Sequence, residues 1–260
     1  MKARSLVVPE SDARASDALS ACWTALRVAA TVLHGVAQIV FLFPWLSRPQ
    51  RDVRVQTWAR TVLRHFAIEL AIVGTPASQG PMLLVANHIS WLDIVVLHAV
   101  CHCRFVAKAD VKRWPFIGTL ATGGGTMYME RGSRREAMRM VHRMAQALRD
   151  GDILAVFPEG TTTDGTAVLP FHSSLIQAAI LADAPVQPVA IQFVHRGSGT
   201  RRPDVRYIGD ESLVGSIWRT ILAREVCAEV RFAGPQRSSG RDRRAWAQQL
   251  RGEIATMRQA

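Results

Sequence analysis

The sequence predicts an α/β fold, a mixed sheet flanked by helices. Three observations predict it. Short apolar runs recur at residues 82–86, 104–107, 127–129, 153–157, 186–194 and 226–232, each of strand length. Stretches of helical period lie between them, and strand–helix alternation buries both faces of a sheet. A chain of 260 residues is long enough for one such domain, or one domain with an appendage, and needs no disulfide staples.

Taken in order, residues 1–17 mix charge with Ser and Ala and read as a flexible tail. Residues 28–46, VAATVLHGVAQIVFLFPWL, carry no formal charge, and a helix of that length nearly crosses a hydrocarbon core. Pro44-Trp45 and then Arg48, Arg51 and Arg54 read as an interfacial boundary with positive charge on the cytoplasmic side. From Arg51 to Phe66, apolar residues at Val55, Trp58, Val62 and Phe66 alternate with arginines, as in a basic helix lying in an anionic headgroup layer. The same pattern fits a helix packed on a globular domain with its arginines in water. Ser133-Arg134-Arg135-Glu136 is a capping box opening a helix through Met138, Val141, Ala145 and Leu148, and Gly151 follows its end. Residues 237–244 form a basic polar loop entering a final surface helix. The expected division is a tail at 1–17, membrane-associated helices at 18–70 and a catalytic domain at 71–260.

A net charge of +11 draws anionic partners: nucleic acid, anionic lipid, coenzyme A or an acidic carrier protein. The basic residues are mostly arginines scattered between apolar runs, with no zinc finger or RNA-binding signature, which argues against nucleic acid. Cys101-His102-Cys103 is too tightly spaced for a zinc site without a second ligand pair. The four cysteines form no secreted framework and read as thiols in a reducing compartment.

Two stretches carry chemistry. In Asn87-His88-Ile89-Ser90-Trp91-Leu92-Asp93 a histidine follows a strand, with an aspartate in the first turn of the next helix. Asp93 can reach back to fix the imidazole tautomer and stabilise the imidazolium formed when His88 takes a proton. This is the His–Asp half of a triad without a protein nucleophile, and no Gly-x-Ser-x-Gly is present, so a substrate hydroxyl takes the serine's place. In Phe157-Pro158-Glu159-Gly160-Thr161-Thr162 a carboxylate, a glycine and hydroxyls close a buried strand, where open α/β sheets gather binding groups. Between the two, Arg131 precedes the capping-box helix, whose free N–H groups favour an anion.

These blocks, with Gly125-Thr126-Met127-Tyr128-Met129-Glu130-Arg131 and Pro188, resemble in order the 1-acylglycerol-3-phosphate acyltransferase family of glycerolipid acyltransferases. The resemblance covers residues 70–230. It implies that His88 is the base and Asp93 its orienter, and that Arg131, Glu159, Gly160 and Thr161 serve substrate binding. It also implies two N-terminal helices embedded in one leaflet. The expected reaction moves a fatty acyl group from an acyl-CoA or acyl carrier protein thioester to a lysolipid hydroxyl, with no cofactor and no metal. The expected location is the inner membrane, with the catalytic domain on the cytoplasmic face. The acceptor expected first is 1-acyl-sn-glycerol-3-phosphate. Thr162 stands where many members carry arginine, and Phe171-His172-Ser173-Ser174 where many carry a lysine and glycine. Lyso-ornithine lipid, acylated by bacterial members of the same family, is therefore the alternative acceptor. A membrane-surface binding protein without catalysis is the alternative of another class.

Overall fold

The computed structural model describes the backbone of residues 10–130 and 133–259. Eight helices and seven strands alternate along these residues. The helices are α1 (Glu10–Ala37), α2 (Arg48–His65), α3 (Leu92–Val100), α4 (Ile117–Gly123), α5 (Arg134–Arg149), α6 (Ser173–Ala182), α7 (Leu213–Leu222) and α8 (Arg243–Met257). The strands are β1 (Glu69–Val73), β2 (Met82–Ala86), β3 (Arg104–Lys108), β4 (Met127–Met129), β5 (Ile153–Val156), β6 (Val186–His195) and β7 (Val226–Phe232).

The strands form one sheet in the order β1-β7-β6-β2-β5-β3-β4. Every neighbouring pair is parallel except β6 with β7, so the sheet is mixed. Strand β2 lies between β6 and β5 and is buried along its whole length. A strand covered on both faces is a continuous apolar run, and MLLVA is one. One face packs Leu84, Ala86 and Ile191 against α2 and α3; the other packs Leu83, Val85 and Ala190 against α5, α6 and α8.

The two N-terminal helices differ in kind. In α1 Leu19, Trp23, Leu26 and Leu33 form an exposed stripe that Val40 continues just past its end, and residues 18–45 are long and apolar enough to cross a membrane. Helix α2, by contrast, buries Ala59, Val62 and Leu63, and with Phe66 they join the main core. Gln56 and Arg60 donate to the last carbonyls of α3, which a helix end leaves without internal partners. Periodicity alone could not tell a headgroup layer from a protein surface as the partner of this apolar face. The boundary expected at residue 70 therefore cuts through the core: α2 is part of the α/β domain. Leu63→Ala is accordingly expected to lower stability by about 2–5 kcal/mol. Urea unfolding would measure it; a loss under about 0.5 kcal/mol would mark an ordinary surface position instead.

Four elements had no counterpart in the sequence reading, namely β1, α4, α6 and α7, and α1 begins at Glu10 inside the expected tail. Strand β1 is a half-exposed edge strand whose apolar run, Leu70-Ala71-Ile72-Val73, follows α2 with no Gly or Pro between to set it apart. The expected capping box at α5 is half formed. Ser133 Oγ accepts from the Glu136 N–H, but the Glu136 carboxylate pairs with Arg139. A complete box, Ser47 with Gln50, opens α2.

Candidate active site

The site lies at the C-terminal ends of β2 and β5, the central strands. Beyond the last residue of β2, Asn87 extends the ladder with its side chain. Its amide nitrogen donates to the Ile191 carbonyl at 2.9 Å, and its oxygen accepts the Ile191 N–H at 2.8 Å. The carboxamide imitates a peptide group, is almost wholly buried, and fixes the point where the chain leaves the sheet. His88 is the next residue.

His88 Nδ1 lies 2.7 Å from Asp93 Oδ2. The same oxygen accepts the backbone N–H groups of Ile89 at 2.6 Å and Ser90 at 2.9 Å. The Asp93 side chain is fully buried, so its charge rests on these three donors. Two of them are turn N–H groups, so the carboxylate builds the turn as well as orienting the ring. Accepting from Nδ1–H leaves Nε2 as the basic nitrogen. Nε2 has no partner among the described residues, on a side chain that is 17% exposed. The ring stacks on Phe157 at 4.0 Å between centroids and 8° between planes, which fixes its second rotation. A held imidazole with one open nitrogen can take a proton from a hydroxyl placed against it.

Glu159 closes the turn after β5. Its Oε1 accepts the His88 N–H at 2.7 Å and its Oε2 the Leu169 N–H at 2.8 Å. Burial pushes its carboxyl above the ordinary value, and the N–H groups of Leu169 and His88 pull it back. Thr163 ties the same loop to the site, its N–H donating to the His88 carbonyl at 2.9 Å. Both peptide groups of His88 are thus gripped by the 159–163 loop. Gly160 has φ +70°, a conformation that favours glycine, and a Cβ there would come within 3.0 Å of the exposed His172 ring, which would have to shift. Gly160 and Thr161 are exposed and open to a ligand. Arg131 lies outside the described residues.

The sequence reading thus brought together His88, Asp93, Glu159, Gly160 and Thr161. It did not find Asn87 as a ladder extension, Phe157 as the stacking surface, or Thr163 as a brace. Asn before His and Phe before Pro-Glu-Gly-Thr were visible, but a ring stack joining residues 69 apart has no local signature. Glu159→Gln is expected to cut kcat roughly ten- to hundredfold with little change in KM, since small displacements of a reacting group cost on that order. A glutamine has one acceptor oxygen for two buried N–H donors, so steady-state kinetics should be accompanied by a lowered Tm.

The sequence profile of the Acyltransferase family matches residues 61–192. The lyso-ornithine lipid O-acyltransferase of Pseudomonas aeruginosa is 35% identical over 79% of this chain and 78% of its own. The 1-acyl-sn-glycerol-3-phosphate acyltransferase of Neisseria meningitidis serogroup B is 36% identical over 70% and 71%. Among solved structures, the 1-acyl-sn-glycerophosphate (LPA) acyltransferase PlsC from Thermotoga maritima superposes with a TM-score of 0.68 at 17% identity, over 95% of this chain and 98% of that one. At that identity the likeness concerns the fold.

Proposed function

This chain belongs to the acyltransferase family, and from that premise we propose that it moves a fatty acyl group from a thioester to the free hydroxyl of a lysolipid. One observation carries the mechanism: a buried Asp93 holds His88 by Nδ1, while Nε2 is open. His88 removes the proton of the lipid hydroxyl as its oxygen attacks the thioester carbonyl. The tetrahedral intermediate collapses, the carbon–sulfur bond breaks, and the thiol departs with a proton. Asp93 stabilises the transient imidazolium. Asn87, Phe157, Glu159 and Thr163 position the base. Gly160 and Thr161 border the substrate. Arg131, which precedes α5 in the sequence, is the further binding group of this reading.

The lipid is reached from a membrane surface. The exposed stripe of α1 supports this, and so does α7, which packs on α1 and leaves Val214, Trp218 and Leu222 exposed at helical spacing. The arginines following Trp45 support a catalytic domain on the cytoplasmic side of the inner membrane, where acyl-CoA and acyl carrier protein thioesters are at hand.

1-Acyl-sn-glycerol-3-phosphate is the acceptor favoured by the positive charge of the chain. Lyso-ornithine lipid is a second reading, favoured by Thr162 in the loop and by relatives of that activity, such as the Pseudomonas aeruginosa enzyme. An assay offering both acceptors with one labelled acyl thioester decides between them by the rates of formation of the two products. Acylation of neither would remove the lysolipid reading.

A further inference from the structure

Behind the catalytic loop is a second open cavity of about 470 Å³ whose lining is mostly charged or amide side chains. It is lined by Arg201, Arg231 and Arg258, by Gln192 and Gln259, and by a single carboxylate, Glu229. Arg201 lies in the turn after β6, Arg231 on β7, and Arg258 just past α8. Glu229 is already engaged: its Oε2 accepts from Gln192 at 2.7 Å and from Arg231 at 3.2 Å. Among the described residues that line the cavity, three guanidinium groups therefore face one carboxylate that is already engaged.

Such an arrangement is costly without an anion. Arg258 is only 6% exposed, and its Nη2 donates to a neutral acceptor, the Gly165 carbonyl. Its Nε has no partner, and neither has the buried Nε of Arg231. Burial and then the like charge of Arg201 push the Arg258 guanidinium below its ordinary pKa, against the attraction of Glu159, Asp93 and Asp164. A buried cation with an unpartnered N–H beside another cation is costly, and a bound anion relieves both penalties. Three guanidinium groups converging on one cavity, with unpartnered N–H donors, match a phosphate monoester.

The cavity is also joined to the base. Arg258 holds the Gly165 carbonyl, and Thr163, two residues earlier, donates to the carbonyl of His88. An anion seated there would steady the loop that grips the catalytic histidine.

We propose that Arg201, Arg231 and Arg258 form an anion site for a phosphate group carried by one of the two substrates of the acyl transfer. The inference rests on the lysolipid reading above. The phosphate belongs either to the acceptor headgroup or to the phosphopantetheine arm of the thioester donor.

The test uses the full-length protein, Arg201→Gln, and the Arg201→Gln/Arg231→Gln pair. Arg201 is exposed and its side chain makes no hydrogen bond among the described residues, so its loss leaves the fold intact. Inorganic phosphate, compared with chloride at equal ionic strength, should raise the Tm of the wild type and should not raise that of the pair. In kinetics the pair should raise the KM of one substrate about tenfold or more with kcat nearly unchanged, the loss expected for charge-assisted contacts made before the chemical step. A rise in acceptor KM assigns the site to the headgroup; a rise in donor KM assigns it to the donor phosphate. The proposal is overturned if phosphate does not stabilise the wild type, if the pair is stabilised equally, or if neither KM moves. Thermal stabilisation is read without turnover, so failure to acylate either lysolipid is distinguishable from absence of the site.

Discussion

His88→Ala is expected to reduce acyl transfer by at least the ~10²–10⁴-fold typical of a lost general base. The lipid hydroxyl is a poor nucleophile while protonated, and among the described residues no other imidazole faces the loop with a carboxylate behind it. The structural cost is small by comparison. The ring contributes one stacking contact with Phe157, worth about 0.5–1.5 kcal/mol, and one of the three donors to buried Asp93, worth about 1–3 kcal/mol, while the backbone bonds to Glu159 and Thr163 survive truncation. Circular dichroism of the variant should therefore match that of the wild type, with a lowered Tm, while product formation disappears. Near-wild-type turnover in a well-folded variant would remove His88 from the mechanism.

Asp93→Asn is the second large effect, and it separates charge from shape. The carboxylate oxygen Oδ2 takes three donors: the imidazole Nδ1–H and the N–H groups of Ile89 and Ser90. An asparagine can turn its oxygen toward the two backbone groups and keep the turn. It cannot then supply the negative charge that stabilises the imidazolium. If it turns its amide toward the ring, Nδ1 must accept, and Nε2 carries the proton and ceases to be a base. The analogous change in a serine-protease triad lowers kcat about 10⁴-fold, and a loss of about 10³-fold or more is expected here on the same grounds. Circular dichroism beside steady-state kinetics checks the cause: the fold should persist, since both turn N–H groups keep an acceptor, while kcat falls. A variant with unaltered kinetics would reduce Asp93 to a turn-forming residue.

Much of this site was legible because its parts are local. His88 and Asp93 are five apart, and a strand, a turn and the first turn of a helix are enough to bring them together. Glu159-Gly160-Thr161 was legible as a strand-end loop for the same reason. The role of Glu159 was not. That its two oxygens would grip His88 and Leu169 depends on β2 and β5 being neighbours, a pairing that no periodicity records. The cationic cavity was illegible for a like reason, since Arg201, Arg231 and Arg258 come from three elements joined by the β6–β7 pairing and the docking of α8. At the fold level, buried strands announced themselves as apolar runs bounded by turn residues, whereas the apolar run of the edge strand β1 follows α2 with no turn residue between them. Helix α2 shows the limit of amphipathicity: Val55, Trp58, Val62 and Phe66 marked an apolar face correctly. In the structure that face packs against α3 and α1 and shares its core with the sheet.

The central claim is that the acyl group passes directly from thioester to lipid hydroxyl, with His88 as base and no protein nucleophile. Incubating the full-length protein with a labelled acyl thioester alone, quenching rapidly in acid and separating protein from small molecules tests it most directly. The account predicts no label on the protein, and labelled product lipid only once the lysolipid is added. Covalently labelled protein that forms at a competent rate and is chased into product by the acceptor would contradict it.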